Sequence, residues 1–206
     1  MIIIADIHLG KVNDSILIDG EPSQTVDIRK RLDAIQARAR LTQQALVIAG
    51  AIFNKMNPTT QIMSVFFSWL SSCNRNGIKV YLLAGNHDGG VDWTSTVMMQ
   101  NVDLPNVFVT LSPGMVAVQE THSDGMTYNR MVLMWPHIPA THQEFAEQGH
   151  GSVSNWVASL QPDAEFIVTH GMLDLDYSND IFFEAGNAMK IDPSAFKKLK
   201  LMVLGH

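Results

Sequence analysis

The chain has 206 residues, 46% of them hydrophobic and 17% charged, with 20 acidic against 14 basic side chains and a formal charge of −6. That balance excludes a disordered chain, contains no apolar run of membrane-spanning length, and lacks the basic footprint that nucleic-acid binders usually carry. The single cysteine, Cys73, excludes an internal disulfide and fits a reducing, cytoplasmic setting.

Met1 runs directly into IIIAD, an apolar run too short for a signal peptide, which predicts a buried strand over 1–5. Ile28, Leu32, Ile35 and Ala39 then step by four, three and four residues, as one face of a helix requires. ALVIAG predicts a second buried strand over 45–50. After the start signal NPTT, Ile62, Phe66, Trp69 and Cys73 repeat the helical spacing, which makes Cys73 a packed thiol. KVYLLAG predicts a strand over 79–85. A β-α-β-α-β opening implies parallel strands joined by right-handed crossovers.

The middle changes character. NVFVTL (106–111), GMVAVQE (114–120) and NRMVLMW (129–135) are closely spaced, with SPG and SDG turns between them. They predict an antiparallel portion, hence a mixed sheet or a second sheet. Helices are expected near 141–148 and 153–160, followed by buried strands EFIVTH (165–170) and LMVLGH (201–206). The polar segment 172–190 reads as a loop over a site. With no repeat, low-complexity tract or linker, residues 1–206 are expected to form one domain.

Ligands in α/β sheets collect just beyond the carboxyl ends of the strands. The residues there are Asp6 and His8, then Ala51, then Asn86, His87 and Asp88, then His170 and finally His206. Asp6 and His8 are alternate residues, so both can chelate one ion from the same side. Gly10 lets the backbone turn away after them. Oxygen and imidazole donors without thiolate suit Mn²⁺, Mg²⁺, Fe or Zn²⁺.

ADIHLG, AGAIFNK, AGNHD, VTHG and the terminal GH, in that order, resemble the motif series of the calcineurin-like metallophosphoesterases. D-x-H-L-G, G-x-x-F and L-A-G-N-H-D are further similar to the SbcD-type nuclease subunit of DNA double-strand-break-repair complexes. The resemblance implies an α/β fold of two packed mixed β-sheets flanked by helices, in four αββα layers. It implies a two-metal phosphodiesterase, with manganese foremost among the divalent ions, acting on DNA as an exo- or endonuclease. Asp6 and His8 would hold the first ion, and Asn86, His170 and His206 the second. His87 would stabilise the transition state or protonate the leaving oxygen, with Asp88 orienting its ring. Partners implied are DNA, an SMC-like ATPase subunit bound through a C-terminal region absent from this chain, and a second nuclease subunit, with no membrane.

One position departs from the series. Ala51 stands where the resemblance implies a carboxylate bridging both ions, and the chain ends at His206, within the last motif. The first ion is then left with Asp6 and His8 against three ligands for the second, so the second site should fill more readily and hydrolysis should be feeble or absent. Because Asp6, His8, Asn86, His87 and His170 all stand, Ala51 reads as a single removed ligand more than as the decay of a natural pseudo-enzyme.

The remaining candidates are weighed singly. Asn54 either holds the loop beside the site or is a turn residue, and Lys11 and Lys55 either touch a phosphate or are solvated. His137, between two prolines in WPHIP, is a cleft-lining candidate, whereas His122, His142 and His150 read as surface residues. Phe53 is expected to pack under the site. Two other functions fit the composition: a small-substrate phosphoesterase, which the net acidity favours, and a non-catalytic DNA-binding scaffold, which Ala51 permits.

Overall fold

The computed structural model describes residues 1–12, 16–88, 103–122, 124–173 and 189–205. Its elements begin with β1 (Ile2–Ile4), the short strands β2 (Leu17–Ile18) and β3 (Glu21–Pro22), α1 (Ser23–Thr42), β4 (Leu46–Ala49), α2 (Thr60–Arg75) and β5 (Val80–Leu83). They continue with β6 (Val107–Thr110), β7 (Gly114–Thr121), β8 (Thr127–Trp135), α3 (Ala140–His150), α4 (Val153–Leu160) and β9 (Phe166–His170). β10 (Met172–Leu173), β11 (Lys190–Ile191), a 3₁₀ turn at Pro193–Ala195 and β12 (Leu201–Gly205) complete the chain.

Two four-stranded sheets result. The first, in the order β1-β4-β5-β6, is parallel throughout. The second, β12-β9-β8-β7, is parallel except for the β7–β8 hairpin, which makes it mixed. Side-chain alternation sets the layers, because successive strand residues face opposite sides. Leu46, Ile48, Val80 and Leu82 face outward onto Phe66, Trp69, Leu70 and Cys73 of α2. Their alternates Val47, Ala49, Tyr81 and Leu83 face inward and meet Val118, Val132, Met134 and Val168 of the second sheet. Leu133, Trp135 and Ile167 face the other outer side and pack on Ala146, Val153 and Val157 of α3 and α4. The fold is therefore an αββα sandwich, as expected.

The helices follow their local signals. Thr59 caps α2 by accepting from the Ile62 amide at 3.4 Å, and the indole N–H of Trp69 donates to the Leu32 carbonyl at 3.0 Å, locking α2 to α1. Burial raises the Cys73 thiol to about 12, so it is a packing group with no nucleophilic character. Among the described residues, no helix is long and apolar enough to cross a membrane.

Two expectations about the strands are corrected. The run 106–111 does not join an antiparallel portion: β6 pairs parallel to β5, with Val107 opposite Val80, and extends the first sheet. The chain from 84 to 106 is long enough for a crossover, and the SPG turn passes the chain to the second sheet instead of closing a hairpin. Segment 172–190 is not wholly a loop. Its ends form the parallel pair β10–β11, with Met172 opposite Lys190, while 174–188 lie outside the described residues.

Candidate metal centre

The loops leaving β1 and β4 carry the ladder past the ends of the strands. The Asp6 amide donates to Gly50 O at 3.3 Å, His8 to Ala51 O at 2.9 Å and Leu9 to Ile52 O at 2.9 Å, and the Asn54 amide returns to Leu9 O at 3.0 Å. Asp6, His8 and residue 51 are thereby laid side by side. All three adopt left-handed backbone, with φ of 56°, 47° and 49°. For non-glycine residues such a conformation costs about 1–2 kcal/mol each. Strain concentrated at one loop cluster marks a place where the chain is held for a purpose.

Asp88 binds this cluster to the loop after β5. Its carboxylate is fully buried and accepts from the Phe53 amide at 2.9 Å and the Gly85 amide at 2.9 Å. Both oxygens are thus engaged by backbone donors of two different loops. Asp88 thereby fixes the 51–53 and 85–88 segments against each other. His87 stands against His8, ring centroids 5.1 Å apart and nearly perpendicular.

From the second sheet comes His170, at the end of β9 and buried. Its Nδ1 lies 2.9 Å from Ala49 O and its Nε2 lies 3.0 Å from Asn86 Oδ1. Three glycines make room for the ring. A Cβ on Gly50 would lie 2.5 Å from Nδ1, one on Gly205 would lie 2.8 Å from Nδ1, and one on Gly85 would lie 2.9 Å from Nε2. The Ala49 carbonyl can only accept, so Nδ1 carries the proton. Nε2 and the Asn86 amide oxygen stand side by side at 3.0 Å, an imidazole and an oxygen donor of the kind that suits a divalent ion.

On the other side, His8 Nε2 lies 3.9 Å from Asp6 Oδ1, and His8 Nδ1 is buried without a hydrogen-bond partner among the described residues. Burial, assisted by His87, lowers the pKa of His8 against the smaller raising effect of Asp6, so the ring is held neutral with a lone pair to offer. Ala51 is completely buried between the two halves and contributes no donor atom. Among the described residues, no group of three His, Cys, Asp or Glu side chains is placed to hold an ion. The composition of the cluster accounts for this: residue 51 has no carboxylate, Asn86 offers an amide, and His206 lies outside the described residues.

Other candidates divide cleanly. His137 is brought into the cluster; its amide donates to Ala84 O at 2.8 Å, and its side chain is buried near His170 and His87. Lys11 lies near enough to His8 to affect it electrostatically, and its side chain is exposed, as is that of Lys55. Asn54 holds the loop through its amide. Phe53 is buried edge-on to Phe66 at 5.5 Å, a packing role. His122, His142 and His150 are exposed.

The buried groups give the metal-free protein an unusual pH response. Burial raises Asp88 to about 6 from its ordinary 3.8, so its contribution is full at low pH and is lost as pH rises through about 6. Burial lowers His137 to about 4 from 6.5, so its contribution is full above 6.5 and is lost as pH falls towards 4. The two oppose each other in one window. In chelator, the urea midpoint of His137→Leu should rise between pH 7 and pH 5 and that of Asp88→Asn should fall, each by the equivalent of about 1–2 kcal/mol. Parallel shifts in both variants would contradict these assignments.

A two-sheet sandwich that gathers Asp, Asn and His at the carboxyl ends of strands from both sheets has the architecture of a metal-dependent hydrolase. The chain belongs to the calcineurin-like phosphoesterase family, whose sequence model matches residues 1–206. Members of this family are metal-dependent phosphoester hydrolases that generally hold two divalent ions. Among curated proteins, none matches the chain in sequence.

Proposed function

We propose that the chain is the nuclease domain of a metal-dependent DNA phosphodiesterase, related to the subunits that work with an SMC-like ATPase in double-strand-break repair. In this reading its second metal site is intact and its first is weakened by Ala51. The observation that carries the metal reading is the His170 Nε2–Asn86 Oδ1 pair, an imidazole and an amide oxygen 3.0 Å apart where strands of both sheets end. The DNA reading is supported by the wording of the motifs from Asp6 to Asp88.

Two divalent ions held here would supply Lewis-acid stabilisation of a phosphoryl group and a water-derived nucleophile at neutral pH. Asn86, His170 and His206 would hold one ion, and Asp6 with His8 the other; manganese suits this oxygen and imidazole set. His87, whose ring stands against His8, would hydrogen-bond the phosphoryl group or give a proton to the leaving oxygen. Asp88 keeps the loops carrying these groups in register. Residue 51 would have to supply the bridging charge, and alanine supplies none, so the chain is expected to bind substrate and turn it over feebly. Attachment of the ATPase through a C-terminal region, pairing of two nuclease subunits and a cytoplasmic location belong to the same proposal.

Fluorescence anisotropy with a labelled linear duplex tests the substrate class. Mn²⁺-dependent binding that weakens with salt is expected, and Lys11→Ala and Lys55→Ala should each reduce the log–log salt slope by about one. Binding confined to mononucleotides or inorganic phosphate would transfer the assignment to a small-substrate phosphoesterase, the reading that the charge of −6 favours.

A further inference from the structure

β8 ends at Trp135, level with Thr169 on the neighbouring β9, so Pro136 and His137 continue past the strand end alongside His170. The His137 amide donates across to Ala84 O at 2.8 Å, two residues before Asn86, and so bridges the mouths of both sheets. Pro136 and Pro139 restrict the backbone around it. The residue is only 8% exposed, and its Nδ1 is sealed with no hydrogen-bond partner among the described residues, whereas Nε2 is not sealed in this way. A buried polar nitrogen left unsatisfied is costly, and leucine would fill the same space without that cost. Packing alone therefore gives no reason for an imidazole at this place.

We propose that His137 is a substrate-contacting residue, whose Nε2–H donates to an oxygen of the phosphoryl group held beside Asn86 and His170. The inference rests on the metal-dependent phosphoesterase reading and adds to it a phosphate donor from the second sheet, outside the recognised motifs. An imidazole N–H at the mouths of both sheets can direct an anionic oxygen through a charge-assisted hydrogen bond.

Calorimetric titration of the Mn²⁺-treated chain with inorganic phosphate tests this. His137→Leu should weaken phosphate binding about tenfold or more, as loss of a hydrogen bond to a charged group requires. Its Mn²⁺ affinity should be unchanged and its phosphate-free Tm equal to the parent's or higher. His137→Gln, which keeps an N–H donor, should recover part of the phosphate affinity. Unchanged phosphate binding in His137→Leu overturns the proposal, and so does a clear fall in Tm, which would make the residue structural. A matching loss of Mn²⁺ affinity would make it an ion ligand and also overturns it. If the parent chain binds no Mn²⁺, the metal reading itself fails and this inference falls with it.

Discussion

Ala51→Asp raises Mn²⁺-dependent hydrolysis of bis(4-nitrophenyl) phosphate by about 10³-fold over the present chain, the factor that about 4 kcal/mol of added electrostatic stabilisation supplies. The backbone is already prepared for the exchange. Residue 51 has φ 49°, a conformation that aspartate and asparagine tolerate better than alanine. Its carbonyl is fixed by the His8 amide at 2.9 Å, and it lies against Gly85 so closely that a Cβ there would come within 2.3 Å of the Ala51 nitrogen. A carboxylate here enters the site between Asp6–His8 and Asn86–His170. Charge is the decisive property, so Ala51→Asn, similar in shape and neutral, should recover little activity. Without metal the new carboxylate is buried and unpaired, so the chelated Ala51→Asp protein should melt below the parent and show the larger rise in Tm on adding Mn²⁺. Equal activity of the Asp and Asn variants would remove the bridging role from residue 51.

His170→Ala has the second largest effect, a loss of about 100-fold or more in Mn²⁺ affinity together with a smaller loss of apo stability. The substitution removes one of two facing donors and leaves the Ala49 carbonyl unsatisfied within a pocket shaped by Gly50, Gly85 and Gly205. The characteristic result is a Tm difference between parent and variant that grows on adding Mn²⁺. A difference that metal leaves unchanged would show His170 to be a packing residue only.

Much of this was legible in the sequence because β-branched runs announce buried strands and their ends announce the site. Asp6, His8, Asn86 and His170 converge because each follows a strand whose inward and outward faces are both apolar, which fixes where each chain segment must emerge. Partnering was less legible. The short spacing between Thr110 and Gly114 resembles a hairpin, yet the chain there changes sheets, and periodicity carries no information about which sheet a strand joins. The tethering by Asp88 was not legible, because adjacency to His87 suggests a pair and the amides that a buried carboxylate accepts from emerge only in the fold. His137 gave only a faint signal, an imidazole between prolines just past a strand, and its depth and its neighbours emerge only once β8 is seated beside β9.

The most direct test is calorimetric titration of the chelator-treated parent chain with Mn²⁺, with pulsed EPR on the bound ion. One ion per chain is expected, coupled to a ¹⁴N nucleus that His170→Ala removes. Two ions of comparable affinity, or a single ion whose nitrogen coupling survives in His170→Ala, would contradict the assignment of the intact site to Asn86 and His170.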